Sequence, residues 1–155
     1  MSDVVVRPAR IEEIDTLLEF EQGIVKAERP FDPTLKDGEI HYYDLRELTL
    51  SAEAEVAVAL IDGEIVGSGY ALIKKAEDFL KHEHYAHLGF MYVKPEHRGK
   101  AIIKQILESL RKWAIDQGVT EMRLQVYSEN AAAIKAYEKA GFKPHMLKMR
   151  MEVNR

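Results

Sequence analysis

The segment VKPEHRGKAIIKQ, residues 93–105, combines residue types that could bind phosphate. A strand-like run leads into a proline-containing turn, and Arg98, Gly99 and Lys100 stand just before a run of helical period. The free N–H groups at the start of a helix carry partial positive charge and can hold a pyrophosphate. This segment has one glycine where phosphate-binding loops usually have two or three. A plain strand-to-helix turn is therefore the alternative interpretation at this point.

The run HEHYAH, residues 82–87, contains three histidines and raises the question of a metal site. In a strand, His82 and His84 share one face and His87 lies on the other, because successive side chains alternate. Two histidines without a further ligand nearby do not complete the coordination shell of a metal ion. The sequence therefore predicts no metal site here.

Composition excludes several other kinds of chemistry. The chain has no cysteine, which excludes a disulfide framework, a thiolate zinc site and a cysteine nucleophile. A formal net charge of −4 argues against a broad nucleic-acid-binding face, although a local basic surface for an anionic ligand is compatible with it. The apolar run from Val4 to Val6 is far too short for a signal sequence or a membrane span. We therefore expect a cytoplasmic protein that binds neither nucleic acid nor a membrane.

Length and the first predicted elements indicate one α/β domain over residues 1–155. A chain of 155 residues that is 46% apolar can bury one sizeable core. VVVRPA predicts a first strand, and apolar residues from Ile11 to Leu18 recur at helical spacing. Asp44 predicts the start of a short second helix. The segment from Ala27 to Tyr43 has little regular period, and a segment of that length is often functional.

The later elements predict a mixed sheet whose first half is antiparallel. Two β-rich runs flank Asp62-Gly63, a strong hairpin signal, and HYAHLGFMYV predicts a further strand. A helical period then runs from Arg98 to a stop at Gly118. The strand EMRLQVY, a helix capped by Asn130 and a closing strand HMLKMRMEV follow. The predicted order is β-α-α-β-β-β-α-β-α-β, with a strand–helix–strand crossover in the second half.

Two segments resemble the signature of the GNAT family of acyl-CoA-dependent N-acetyltransferases. MYVKPEHRGKAIIKQILESLRKWA resembles the cofactor motif, which is Arg or Gln, two residues, Gly, one residue, then Gly or Ala. YSENAAAIKAYEKAGF resembles the family's second pattern at Asn130, Ala133, Ile134, Tyr137, Glu138, Lys139, Gly141 and Phe142. The two patterns occur in the family's order and at its spacing, and the predicted elements agree with the family's fold. Only the segment from Ala27 to Tyr43 matches no part with a known role.

The resemblance implies that acetyl-CoA is bound as the acyl donor. Its pyrophosphate is expected at the motif residues Arg98, Gly99, Lys100, Ala101, Ile102 and Ile103. In this fold the strands FMYV and MRLQVY diverge, and the pantetheine arm is expected to pair with backbone groups of Met91 and Val93, which flank Tyr92. Asn130 is a further candidate contact, and its role as an N-cap is compatible with that contact.

The cofactor motif departs from the family pattern at two positions. Ala101 stands where the pattern has Gly, and Ile103 stands where it has Gly or Ala. At helical φ and ψ, alanine adds only a methyl group, so we expect Ala101 to be tolerated. Ile103 is expected to face the core with Ile106 and Leu107, and so to leave the phosphates unobstructed.

The resemblance also assigns roles in proton transfer. In this family the substrate amine attacks the thioester directly, and a Tyr at the position of Tyr137 can protonate the departing thiolate. Without that context, Tyr137 would be interpreted as a packing residue. In some members a Glu or His on the strand before the motif takes the amine proton, and that position falls on His87. A structural hydrogen bond of His87, or a water relay from other carboxylates, is the alternative.

Two functions from different classes follow from these patterns. One is an N-acetyltransferase acting on an amine of a small molecule or peptide, and the other is a catalytically weak acyl-CoA-binding module or degenerate family member. The acceptor amine is not legible from the sequence, since ERPFDPTLKDGE carries both signs of charge and could line an amine pocket or cover the core. A homodimer is among the assemblies we consider.

Overall fold

The sheet of the computed structural model has five strands that lie in the order of the chain. The structure describes residues 3–154. The strands are β1 (Val4–Pro8), β2 (Ala54–Ile61), β3 (Glu64–Lys75), β4 (His84–Val93) and β5 (Met122–Arg123). The first four are antiparallel neighbours, and β5 pairs with β4 in parallel. The predicted antiparallel first half and the crossover in the second half are confirmed.

Helices cover both faces of this sheet. They are α1 (Ile14–Glu28), α2 (Leu45–Leu50), α3 (Ile102–Asp116) and α4 (Ala131–Lys139). Tyr70 belongs to the core under α1 and α2, whereas its neighbour Ala71 belongs to the core under α3. Because successive strand residues point to opposite faces, the two cores lie on opposite sides of the sheet. Within residues 3–154, no helix combines the length and the apolar composition that a membrane span needs.

The turn and capping signals in the sequence are confirmed. Asp62 and Gly63 both have positive φ, 51° and 79°, as a two-residue hairpin turn requires. Asp44 and Asn130 each accept a hydrogen bond from the backbone N–H three residues further on, at 3.1 and 3.2 Å. These side chains supply acceptors for N–H groups that the first helical turn leaves unpaired.

The C-terminal part of the chain differs from the prediction. Of the strand predicted over EMRLQVY, only Met122–Arg123 forms. The closing strand predicted over HMLKMRMEV is absent, since residues 142–154 have no regular secondary structure. Alternation of apolar residues describes a strand's faces but does not provide a neighbouring strand, and β5 offers a ladder at two positions only.

Glu21 is a charged side chain in the interior of the α1 face. It is fully buried, and its Oε2 accepts hydrogen bonds from the backbone N–H groups of Tyr42 and Tyr43 at 2.8 and 2.9 Å. Its Oε1 lies 2.8 Å from Nδ1 of His41. One carboxylate on α1 therefore anchors the end of the irregular segment from Ala27 to Tyr43.

The pair of His41 and Glu21 predicts a pH-dependent stability. The hydrogen bond to Glu21 is the largest of the effects that raise the pKa of His41 above its usual 6.5. A group whose pKa is raised by folding stabilises the fold fully below its unfolded pKa, and this stabilisation is lost as the pH rises through the folded pKa. His41→Gln should therefore lower the melting temperature most below about pH 6 and progressively less at higher pH.

Thermal melting of both proteins across this pH range measures the effect. Glu39→Gln is the matched control, because Glu39 also contacts His41, at 3.3 Å, but its side chain is 70% exposed. The control should change the melting temperature much less, because exposed ion pairs contribute little. If the melting temperatures of the parent and His41→Gln differ by the same amount at every pH, ionisation of the His41–Glu21 pair does not contribute to stability.

Candidate functional site

The turn between β4 and α3 presents a row of free backbone N–H groups. Residues 95–97 form a single 3₁₀ turn, and Nε of Arg98 donates to the carbonyl of Val93 at 3.2 Å. Among the described residues, the N–H groups of residues 99–104 have no acceptor, and the next backbone bond runs from Gln105 to Ala101. Nζ of Lys100 lies 3.1 Å from Nδ1 of His97, so both side chains belong to this turn. Such a row with basic side chains suits a pyrophosphate.

Two residues in left-handed conformation shape this turn. Gly99 has φ 83°, and Ala101 has φ 59° and ψ 25°. Alternation of left-handed residues in a turn brings successive N–H groups to one side and forms a concavity for anions. A Cβ on Gly99 would meet nothing within 4 Å, so this glycine is needed for its conformation rather than for space.

The expectation that Ala101 adopts a helical conformation is wrong. Ala101 is the N-cap of α3, which begins at Ile102, and its left-handed φ is one that glycine adopts without strain. The glycine of the family pattern at this position is therefore explained by the backbone of the turn. The alanine here costs conformational energy, whereas its exposed methyl group leaves the N–H row accessible.

The branched side chains of the motif point away from this surface. Ile102 is only 2% exposed, and Ile103 packs against the core under α3. The prediction that Ile103 faces the core is confirmed. Residues 102 and 103 therefore present only their backbone to a ligand at the turn.

β4 and β5 diverge beyond a short paired end. Residues 86–87 pair with residues 122–123, and β4 continues to Val93 without β5 beside it. The N–H of Lys94 bonds to Val66 on β3 at 2.8 Å, and backbone groups alternate sides along a strand, so those of Met91 and Val93 are directed toward the gap. This unpaired side of β4 is called the β4–β5 gap below.

A β-bulge at Phe90 bends β4 beside the gap. Phe90 has φ 60°, and the pairing with β3 shifts register between Ser68 and Tyr70. Oγ of Ser68 donates to the Phe90 carbonyl at 3.0 Å, and the Phe90 N–H donates to the hydroxyl of Tyr43 at 3.3 Å. Both backbone groups of the bulge are therefore satisfied inside the protein. Sequence analysis missed this feature because phenylalanine carries no signal for positive φ.

Tyr92, which lies between Met91 and Val93, directs its side chain toward α1. The ring of Tyr92 packs on Phe20 of α1, with ring centroids 4.8 Å apart. Gly23 of α1 allows this approach, because a Cβ there would lie 2.6 Å from the Tyr92 ring. Tyr92 thus joins α1 to β4, and only its backbone remains near the gap.

Tyr137 on α4 combines a packed ring with an unpaired hydroxyl. The ring packs on the core under α3 and meets Phe142 edge-on at 6.1 Å. Within residues 3–154 its hydroxyl has no hydrogen-bond partner. Burial, assisted by the negative charge of Glu28, raises the pKa of Tyr137 to about 12. The hydroxyl therefore keeps its proton at neutral pH and is free to donate it.

Glu28, the last residue of α1, stands among tyrosine hydroxyls. Burial raises the pKa of Glu28 itself. Its negative charge adds to burial in raising the pKa values of Tyr42, Tyr43, Tyr127 and Tyr137. The carboxylate of Glu28 also interacts with the hydroxyl of Tyr42, which acts to lower the pKa of Glu28 but less than burial raises it. Glu28 therefore influences tyrosines of the α1 face and Tyr137 of α4, an effect that sequence analysis did not predict.

His87 lies at the closed end of the gap, where β4 and β5 are still paired. Its ring meets Tyr70 edge-on at 6.0 Å, on the α1 face. Burial, with a contribution from the positive charge of Lys74, lowers the pKa of His87, so the ring is neutral at pH 7. Among the described residues the His87 ring makes no hydrogen bond, which gives no support to the structural alternative.

Asp32 closes the α1 side of the site. It is 7% exposed and accepts hydrogen bonds from the Thr34 backbone and hydroxyl, from the Tyr127 hydroxyl at 3.1 Å and from Arg150 at 3.1 Å. The Thr34 hydrogen bonds, with those from Arg150 and Tyr127, hold the pKa of Asp32 well below its usual range. The irregular segment is thus bonded to the end of α1, to Tyr127 in the stretch after β5 and to Arg150 near the C-terminus.

The histidine run does not form a strand face as expected. His82 precedes β4, and its Nε2 lies 2.9 Å from Oε1 of Glu121. In the part of the chain that the structure describes, no group of three or more His, Cys, Asp or Glu side chains could hold a metal ion.

Comparison with known proteins identifies the architecture. The model of the acetyltransferase (GNAT) family matches residues 19–142. N-acetyltransferase YobR of Bacillus subtilis (strain 168), described as uncharacterized, is 43% identical over 60 residues, which cover 39% of this chain and 24% of that protein. Aminoglycoside N(6')-acetyltransferase type 1 of Stenotrophomonas maltophilia is 32% identical over 105 residues, which cover 63% of this chain and 67% of that protein. The match thus spans about a quarter of YobR and two thirds of the second relative.

A solved structure shares the fold. A predicted acetyltransferase from Clostridium acetobutylicum, determined with acetyl-CoA, superposes with a TM-score of 0.70 over 97% of this chain and 96% of that one. The two sequences are 15% identical, so the likeness concerns the fold.

Because Ala101 has a left-handed backbone conformation, its replacement by glycine should stabilise the protein, whereas the same replacement inside a helix would destabilise it. Ala101→Gly should raise the free energy of unfolding by about 1 kcal/mol, because glycine removes the strain of the left-handed conformation. Urea unfolding measures the change. Gly99→Ala is the matched control at φ 83° and should lower stability by a similar amount. A loss of about 1 kcal/mol in Ala101→Gly, as expected inside a helix, would contradict this account.

Proposed function

Because the chain belongs to the acetyltransferase (GNAT) family, we propose that it transfers an acetyl group from acetyl-CoA to a primary amine of a small molecule. The observation that carries the proposal is the β4–β5 gap, which has the N–H row of residues 99–104 at its open end. As part of the proposal, the hydroxyl of Tyr137 faces this gap. The relative named for aminoglycoside acetylation supports a small-molecule acceptor, and the neighbour determined with acetyl-CoA supports the donor.

The residues present fit the donor. The N–H row would accept the pyrophosphate, with Arg98 and Lys100 supplying positive charge. The backbone groups of Met91 and the N–H of Val93 would pair with the amides of the pantetheine arm, as an added strand does; the Val93 carbonyl already accepts from Arg98. Asn130 would contribute its side-chain NH₂, because its Oδ1 already accepts from the backbone of Ala133. Bound acetyl-CoA would supply the thioester carbonyl carbon that the amine attacks.

Tyr137 is the proposed general acid. As the amine nitrogen bonds to the acetyl carbon, the carbon–sulfur bond breaks and negative charge develops on sulfur. The hydroxyl of Tyr137 donates its proton to that sulfur, which it can do because burial and Glu28 keep it protonated. Its lack of another hydrogen-bond partner within the described residues leaves the proton available for this step.

His87 is the proposed general base. Its lowered pKa keeps the imidazole neutral, so that it can take the proton from the attacking amine directly or through water. Glu28 has a different task on the same side of the sheet. Its carboxylate lies among tyrosine hydroxyls and attracts a protonated amine toward the gap before that amine loses its proton.

The strained Ala101 favours one alternative function. If the turn costs too much energy to hold the phosphates in place, the chain would be a weak acyl-CoA-binding module without turnover. Binding and turnover measured on the same preparation separate the two functions.

Acetyl-CoA should raise the melting temperature in a concentration-dependent way, because a ligand that binds only the folded state stabilises it. Isothermal titration gives the affinity, and free-thiol release with a panel of primary amines, aminoglycosides included, gives turnover. Lys100→Ala should weaken binding without lowering the melting temperature of the free protein, since its side chain is exposed. Arg98→Ala should weaken binding and also lower the melting temperature slightly, because it removes the hydrogen bond to the Val93 carbonyl. Binding without turnover on the whole panel would favour the module. A flat melting temperature up to millimolar acetyl-CoA would contradict both functions.

The pH dependence of turnover separates the acid from the base. Tyr137→Phe should lower kcat by about 10²–10⁴-fold at every pH of the profile. The loss is uniform because Tyr137, with a pKa of about 12, stays protonated over the pH range of an ordinary assay. His87→Gln should remove the acidic limb, which is expected below the usual pKa of 6.5.

Affinity for acetyl-CoA and melting temperature should stay close to those of the parent in Tyr137→Phe, since the ring remains. Tyr85→Phe is the matched control, because it removes a hydroxyl from a ring that lies under Arg123 instead. Stability and activity lost together in Tyr137→Phe would identify a packing residue. An unchanged acidic limb in His87→Gln would assign the base to another group.

A further inference from the structure

Glu21 of α1 is a buried carboxylate that the proposed reaction does not use. The other buried residues of α1 are all apolar. Within residues 3–154, the hydrogen bonds of the Glu21 carboxylate all run to three consecutive residues, His41, Tyr42 and Tyr43. A buried charge costs free energy unless it is fully paired, and a leucine of similar size would pack well in its place. What only the carboxylate supplies is a fixed position for the backbone of residues 41–43.

Tyr43 connects that position to β4. Its hydroxyl accepts a hydrogen bond from the backbone N–H of Phe90 at 3.3 Å. Its ring meets the ring of Phe90 edge-on, with centroids 5.5 Å apart, and lies at the same distance from the ring of Tyr70. Because a tyrosine side chain has only two rotatable bonds, its hydroxyl reaches Phe90 only from a narrow range of backbone positions. The contact with Phe90 therefore depends on where Glu21 holds the backbone of Tyr43.

The bulge at Phe90 in turn sets the course of Met91 at the β4–β5 gap. Phe90 has φ 60°, an uncommon conformation for a bulky residue, which persists only where the surroundings support it. Its N–H is bonded to Tyr43 and its carbonyl to Ser68. Met91 follows directly, and its side chain crosses β3 at Gly69, where a Cβ would lie 2.7 Å from Sδ of Met91. A change in the bulge would move both this side chain and the backbone groups of Met91 at the gap.

We propose that Glu21 is a positioning residue, which fixes Tyr43 and so sets the bulge of β4 that aligns the backbone of Met91 with the pantetheine arm of acetyl-CoA. The contacts run from α1 through the end of the irregular segment to β4, which gives that segment a role at the site. The alignment with acetyl-CoA rests on the proposed function, whereas the coupling of Glu21 to Phe90 is a property of the free protein.

A neighbouring contact separates this role from a general stiffening of the segment. Gln22, the next residue of α1, donates from Nε2 to the carbonyl of Ile40 at 2.8 Å. It joins the same helix to the same segment, but within the described chain its side chain makes no bond to Tyr43. Removing this contact should loosen residue 40 without releasing the Tyr43 hydroxyl from Phe90.

Amide hydrogen exchange of the free protein, followed residue by residue by NMR, tests the coupling. Glu21→Leu keeps a side chain of similar size but removes both oxygens, so the Phe90 amide should exchange about tenfold faster than in the parent. Glu21→Gln should keep the parent's rate, because one amide oxygen can accept from the two N–H groups that share Oε2. Gln22→Leu is the matched control and should leave the Phe90 amide unchanged. Equal rates in the parent and Glu21→Leu would overturn the proposal, as would a Glu21→Gln or Gln22→Leu variant that matches Glu21→Leu.

Tyr43→Phe tests the last contact and covers the case in which Glu21→Leu fails to fold. It keeps the ring and removes the hydroxyl, so the Phe90 amide should again exchange about tenfold faster. The affinity for acetyl-CoA should fall about fivefold to tenfold in isothermal titration, with a larger change in KM for acetyl-CoA than in kcat. Tyr70→Phe is the matched control and should change neither, because Tyr70 is also buried and its hydroxyl makes no hydrogen bond within the described residues.

The outcomes separate this proposal from the proposed function. An unchanged Phe90 amide in Tyr43→Phe would overturn the coupling. Faster exchange with an unchanged affinity for acetyl-CoA would overturn the role of Glu21 at the gap, as would a loss of stability with unchanged KM and kcat. A parent that binds no acetyl-CoA would contradict the proposed function and the role at the gap together, whereas the exchange rates would still decide whether Glu21 sets the bulge.

Discussion

The divergence of β4 and β5 is the constraint on which the rest of the site depends. Each backbone N–H and C=O in a sheet needs a partner, and β4 meets that need on its β3 side along most of its length. On its other side, β5 pairs at two positions only. The bulge at Phe90 bends the strand while Ser68 and Tyr43 satisfy its own polar groups, so the bend is stable without a ligand.

Three carboxylates on the α1 side illustrate how environment separates structural from chemical roles. Glu21 is fully buried, with one oxygen bonded to the N–H groups of Tyr42 and Tyr43 and the other to His41, so it stabilises the fold. Asp32 accepts hydrogen bonds from four donors and has a lowered pKa, so its role is to join the irregular segment to Tyr127 and Arg150. Glu28 differs from both, because burial raises its pKa and an interaction with the Tyr42 hydroxyl opposes that shift only in part.

Much of the fold could be predicted because its signals are local. Asp62-Gly63 determines a hairpin through positive φ at two adjacent residues, and Asn130 begins a helix through one side-chain acceptor. Ile103 could be placed in the core because a helical period gives its face. The prediction of a closing strand was wrong because a strand needs a hydrogen-bonded neighbour, and no local sequence pattern shows whether one is present. The predicted helical conformation of Ala101 was wrong because the turn before α3 imposes a left-handed conformation, which alanine does not favour.

The distribution of unsatisfied polar groups separates the site from the rest of the molecule. The N–H row of residues 99–104 and the hydroxyl of Tyr137 lack partners within the described chain. The N–H row lies in an exposed turn, where water can satisfy these groups in the free protein. A phosphate can therefore replace that water without breaking a hydrogen bond of the fold. The unpaired side of β4 adjoins this turn, because β4 ends at Val93 and pairs with β5 only at residues 86–87. A long ligand with phosphates at one end and a reactive group at the other matches that sequence of donors, and this is the shape of an acyl-CoA.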